Sequence, residues 1–219
     1  MNFDHIKAIG FDLFNTLITV EPETLREANK RLISSLRQSG FAIEDKPFKE
    51  AHVQAALRFL EECRSDGRET HNRFWISAAL QSHGYDVPPD DARVALAVEA
   101  YFSAFFDSCH LIPGTGEMLE TLKGPFRLGL LSNFTHPPAA NEIIDRVGLT
   151  PFFDVVLISG ALGYRKPHPL VFRKLIEELG VPKNQILYVG DDLEPDIMGA
   201  RQAGLQPVWT TYVRDQGIA

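Results

Sequence analysis

The chain has 219 residues, 44% of them hydrophobic and 23% charged, which is long enough for a buried core and too apolar for a disordered tract. A formal charge of −7 and a pI near 5.5 exclude a nucleic-acid backbone as the main partner, because such surfaces need a net basic face. Cys63 and Cys109 show no metal-type spacing and are expected to be reduced, inert packing residues.

The first expected strand is "IKAIGF", residues 6 to 11, an apolar run that stops at Asp12. No convincing strand follows between 18 and about 110. Instead, "ETLREANKRLISSLRQS" at 23 to 39 places Leu25, Ala28, Leu32, Ser35 and Leu36 on one helical face. Further helices are expected at about 47 to 65, 70 to 83 and 89 to 107, with Asp90 and Asp91 as the acidic start of the last. Arg73, Phe74 and Trp75 fit a bundle core better than a substrate wall. A Pro-Gly turn and a short helix at 110 to 124 then return the chain to the sheet.

Four more apolar runs follow: 127 to 133, 154 to 159, 185 to 190 and 206 to 210. Helical patterns at 137 to 148, 168 to 180 and 195 to 204 separate them, ending at or beside glycine. Strands with little alternation, separated by helices, define an α/β fold with a doubly wound, Rossmann-like parallel sheet. The expected organisation is a core from residues 1–17 and 110–219, interrupted by an all-helical domain at 18–109. The opening "MNFDHIKAIGF" lacks the basic start and apolar middle of a signal peptide, and no run reaches bilayer length. The expectation is a cytoplasmic protein without a membrane or nucleic-acid partner.

Ligands of open α/β sheets bind beyond the carboxyl ends of the strands. Those ends carry Asp12, Asn15 and Thr16, then Ser132 and Asn133, then Arg165 and Lys166, and finally Asp191, Asp192, Glu194 and Asp196. Asp12, Asp191 and Asp192 brought together would repel unless a cation intervened. An oxygen-only set of few ligands suits Mg²⁺, with Lys166 and the Ser132 hydroxyl facing it. Such a site suits phosphoryl transfer, which rests on positioning and charge neutralisation.

The segments "DLFNT", "LLSN", "RKPHPLVF" and "VGDDLEPD", in this order, resemble the four motifs of the haloacid dehalogenase (HAD) superfamily. Helices inserted between the first two resemble its class with a helical (C1-type) cap domain. The resemblance implies that Asp12 is a nucleophile forming an aspartyl intermediate, that Thr16, Ser132 and Asn133 hold the transferring group, and that Lys166 neutralises it. It further implies Mg²⁺ on Asp12, the Phe14 backbone carbonyl, Asp191 and Asp192, with Asp196 behind them.

One position departs from the pattern. Family phosphatases usually carry a second Asp two residues after the nucleophile, as acid for the leaving group, and here stands Phe14. The first reading is a Mg²⁺-dependent phosphatase of a small phosphorylated metabolite with an atypical first motif. The alternatives are a metal-free 2-haloacid dehalogenase, since halide leaves without a proton, and a catalytically weak binding or regulatory protein. The acids of "GDDLEPD" and Phe172 in place of a Tyr speak against the dehalogenase. His168 is expected to start a helix and His136 to sit in a solvated loop.

Overall fold

The computed structural model describes residues 4–215. Met1–Phe3, the first residues of the opening that lacks signal-peptide character, lie outside them. The chain divides into two compact units, with boundaries at Val20/Glu21 and Ser108/Cys109. Among the described residues, no helix is long and apolar enough to cross a membrane.

β1 (Ala8–Phe11) is buried at all four positions, as a central parallel strand must be. It stops at Asp12, and the turn beyond carries Asn15 in the left-handed region at φ 58°. Asparagine tolerates that region better than most residues. The turn leads into β2 (Ile18–Val20).

The helical unit follows with α1 (Thr24–Gln38), α2 (Asp45–Asp66), α3 (Asn72–Ser82) and α4 (Ala92–Phe102). α1 buries Ala28, Leu32 and Leu36 at 0% exposure, together with Ile33. Each buried leucine contributes roughly 1.5–3 kcal/mol. Leu25 was expected on this face but is 58% exposed. It sits in the first turn, and periodicity sets a side chain's direction without supplying a partner there. Asp91 caps α4 by accepting from the Arg93 backbone N–H at 2.8 Å. Between α2 and α3, His52 Nε2 meets Asn72 Oδ1 at 2.9 Å, both side chains being buried. The half-buried Trp75 donates its indole N–H to Thr70 Oγ1 at 3.1 Å.

β3 (Cys109–Leu111) then pairs antiparallel with β2 in the sheet unit. The sequence showed no strand in either place, because three residues cannot display a period. The chain continues through α5 (Thr115–Leu122), β4 (Arg127–Ser132), α6 (Pro137–Arg146), β5 (Val155–Ile158), α7 (Ser159–Leu162) and α8 (Pro169–Leu179). It ends with β6 (Ile186–Gly190), a π-helical segment at Leu193–Met198 that runs into α9 (Gly199–Ala203), then β7 (Gln206–Trp209) and α10 (Tyr212–Asp215). His136 is not a solvated loop residue: it precedes α6 and is only 7% exposed.

The main sheet is parallel throughout, in the order β5-β4-β1-β6-β7. From β1 the chain builds outward through β4 and β5, then crosses back to β6 and β7. The order therefore reverses beside β1, and a crevice at the carboxyl ends is expected there. α8 lies close against this region: a Cβ on Gly129 would stand 2.7 Å from Leu175 Cδ1, so any larger residue there would have to displace that leucine methyl. Val171, Phe172, Leu175 and Leu179 of α8 share a core with Ala8, Leu131, Ile186 and Tyr188.

Candidate active site

Asp12 follows β1, Ser132 ends β4, Lys166 lies in the loop after α7, and Asp191 follows β6. The parallel sheet brings these carboxyl-end positions to one edge. At the centre is Lys166, 3% exposed. Its ammonium donates to Asp12 Oδ1 at 2.6 Å, to Asp196 Oδ1 at 2.6 Å and to the Tyr188 hydroxyl at 3.0 Å. All three donors of the lysine are used. Tyr188 passes its own proton to the Leu131 carbonyl at 3.1 Å, tying the cluster to β4.

Asp12, Asp191 and Asp196 each offer a carboxylate oxygen within 4.8 Å of the others. Against one ammonium, three ionised carboxylates leave two formal negative charges. Burial pushes Asp12 up to about 7, with Asp196 and Asp191 adding to the rise while Lys166 opposes it. Burial, then Asp196, also raises Asp191, against a hydrogen bond from the Asn15 side chain. Burial works to lower Lys166, but Asp12, Tyr188 and Asp196 hold it well above its ordinary value, so it is the fixed cation. Carboxylates driven upward by burial and, beyond that, by one another mark a place suited to a hard divalent cation. The residues fit such an ion: the donors are all oxygen, and the Phe14 carbonyl has no hydrogen-bond partner among the described residues.

The remaining site residues separate by role. Thr16 donates toward Asp12 Oδ2 at 3.4 Å, a long contact that leaves its hydroxyl available. Ser132 is 1% exposed at the end of β4. Asn133 is engaged differently from expectation: its amide donates to the Lys166 carbonyl at 3.0 Å and accepts from the Lys166 N–H at 2.8 Å. It holds the lysine's backbone, with one amide N–H left over. The exposed Asp192 carboxylate is outside the three-acid group, contrary to its expected place among the metal ligands. The cause is the π-helical segment, which turns Asp196 inward to accept the Asp192 N–H at 3.1 Å on Oδ2. With Oδ1 on Lys166 and Oδ2 on that N–H, Asp196 supports the cluster from behind. Gly190 makes this possible, because a Cβ there would lie 2.4 Å from Asp196 Cβ.

One contributor, Tyr188, is not singled out by the sequence, where it reads as one more apolar residue of a strand; Asn15 stands there among the strand-end polar residues without an assigned role. The signal for Asn15 was its type, suited to a left-handed position from which its amide reaches Asp191. Phe14 stacks on Phe134, ring centroids 5.5 Å apart and planes at 5°. The Phe134 backbone is fixed in turn by the Ser159 hydroxyl, which lies 2.8 Å from its N–H. His168 caps α8, accepting from the Leu170 N–H at 3.3 Å.

The profile of haloacid dehalogenase-like hydrolases matches residues 6–204. The chain belongs to this family. Among HAD-like relatives, a glyceraldehyde 3-phosphate phosphatase of Pyrococcus abyssi is 31% identical over 209 residues, covering 94% of this chain and 82% of the relative. A ribulose-1,5-bisphosphate 5-phosphatase of Halopiger xanaduensis is 31% identical over 204 residues, covering 92% and 83%. A solved 2-haloacid dehalogenase of Pseudomonas syringae pathovar tomato matches with a TM-score of 0.71 at 27% identity, covering 94% of this chain and 86% of that one. This HAD-like protein is thus a hydrolase whose close sequence relatives are phosphatases.

Proposed function

We propose that the enzyme is a Mg²⁺-dependent phosphatase that cleaves a small phosphorylated metabolite through an aspartyl-phosphate on Asp12. The carrying observation is the Asp12, Asp191 and Asp196 group with Lys166, whose charges do not balance without a cation. Asp12 and Asp191 would hold the ion, with the Phe14 carbonyl. Bound there, it would neutralise charge on the transferring phosphoryl group. The helical unit takes the part of a substrate-selecting cap in this reading.

Lys166 holds Asp12 Oδ1, which leaves Oδ2 as the attacking oxygen. An Oδ2–P bond forms while the bond from phosphorus to the leaving oxygen breaks, and the leaving group departs with the electron pair. Thr16 and Ser132 hydroxyls donate to the phosphoryl oxygens, and Lys166 balances their charge. Water then attacks phosphorus, releasing phosphate and restoring the Asp12 carboxylate. Phe14 cannot protonate the leaving oxygen. A general acid supplies about 10² to 10⁴-fold, so the enzyme should favour acyl or aryl phosphates over sugar phosphates. Phe14→Asp should accelerate the poor leaving groups most.

A second reading draws on the Phe14 and Phe134 stack, an apolar wall suited to a 2-haloacid. The deciding experiment assays phosphate and halide release from both substrate classes, with Mg²⁺ and with EDTA. Phosphate release lost in EDTA supports the phosphatase. Halide release indifferent to EDTA and abolished in Asp12→Asn replaces it, and neither product points to a binding protein.

A further inference from the structure

β7 is an edge strand, and its last residue, Trp209, is in register with Gly190. Trp209 is 46% exposed, an expensive place for so large a ring unless its polar end is used. That end donates from Nε1 to the Asp191 backbone carbonyl at 2.8 Å. The neighbouring Thr210 N–H donates to the Gly190 carbonyl at 2.9 Å. A side chain therefore extends the β6 and β7 ladder one residue past the sheet, onto the residue that carries the carboxylate. Arg214 of α10 lies 5.5 Å from the centroid of the indole ring. The family profile stops at residue 204, so Trp209 and Arg214 are outside it.

Asp191 is thus held at two points. The Asn15 side chain favours its charged carboxylate, and Trp209 bonds its carbonyl. The first contact orients the side chain; the second fixes the peptide plane between Asp191 and Asp192, where the backbone leaves the sheet. We propose that Trp209 is a positioning residue for cation binding, locking the Asp191 carbonyl away from the ion so that the carboxylate faces it. This rests on the reading that Asp191 holds Mg²⁺. The segment after residue 204 then sets metal affinity without touching metal or substrate.

The test is calorimetric titration of Mg²⁺ into the metal-free full chain and into Trp209→Phe, which keeps an aromatic ring and removes the N–H. Loss of one hydrogen bond should weaken Mg²⁺ binding by roughly three- to tenfold, with the melting temperature of the metal-free protein little changed. In an Asp191→Asn background the same substitution should cause no further loss, which a merely structural role would not predict. Independently of that variant's folding, Trp75→Phe leaves Trp209 as the single tryptophan. Its emission should then shift on Mg²⁺ addition with the calorimetric midpoint. A wild type that binds no Mg²⁺ would overturn the metal reading and the positioning role together. Equal affinity in wild type and Trp209→Phe, with a silent Trp209, would overturn the positioning role alone.

Discussion

Lys166 in the sheet unit and His52 in the helical unit are both 3% exposed, yet they are buried on opposite terms. His52 is kept neutral by burial and shares one hydrogen bond with Asn72. That leaves a single orphan, the Asn72 amide nitrogen. Lys166 is kept charged, makes three hydrogen bonds, and still leaves excess negative charge on its carboxylate partners. A neutral pair between two helices, short of one hydrogen bond, asks for no counter-charge and reads as architecture. An unbalanced charge cluster assembled from distant strand ends has an open requirement, and that requirement is the mark of function.

The largest effects should come from splitting the charged cluster. Lys166→Met leaves Asp12 and Asp196 buried without their cation and should cost about 3–5 kcal/mol in chemical denaturation. Asp12→Asn should carry the opposite sign, stabilising the metal-free protein because it removes a carboxylate that burial and its neighbours already disfavour. Both should lower phosphate release by at least about 10³-fold. Equal destabilisation by the two would mean that the cluster is charge-balanced after all.

Gly190→Ala sharpens the same point through geometry alone. Its Cβ would collide with Asp196. Overpacking of this kind costs about 1–3 kcal/mol, and displacing Asp196 should reduce turnover more than stability. A fully active variant would show that Asp196 is dispensable to Lys166.

pH separates the two clusters by sign. Asp12 is raised from 3.8 to about 7 in the folded protein, so its contribution favours folding below about 4 and is lost as pH rises through about 7. His52 is lowered from 6.5, so its contribution is present above about 6.5 and lost as pH falls below it. Mg²⁺ should restore stability on the alkaline side only, by an amount that grows between about pH 4 and 7. Thermal melts across pH, with and without Mg²⁺, read both trends; a Mg²⁺ effect that does not change with pH would detach the ion from Asp12.

The smallest effect belongs to the helical pair. A double-mutant cycle on His52→Ala and Asn72→Ala should give a coupling of about 1 kcal/mol, with turnover per folded molecule unchanged. A loss of turnover would make this pair functional too and erase the contrast.

The sequence by itself determined the alternation of apolar runs and capped helices, hence the parallel sheet, and it marked Asp12, Ser132, Lys166 and Asp191 as polar residues placed where apolar packing has no use for them. Such signals are local: a strand ends, and the residue after it is chemically out of character. Tertiary structure decided what required distance. Residues 18–20 and 109–111 become a two-stranded ribbon only by meeting each other, and Leu25 remains exposed although its helical phase points it inward. The π-helical segment directs Asp196 rather than Asp192 into the carboxylate group, and Asn133 serves the Lys166 backbone 33 positions away. Tyr188 and Trp209 act through hydrogen bonds to groups on other elements. A hydrogen bond depends on a separation of about 3 Å, and no residue type or spacing along the chain specifies that separation until the strands and helices have packed.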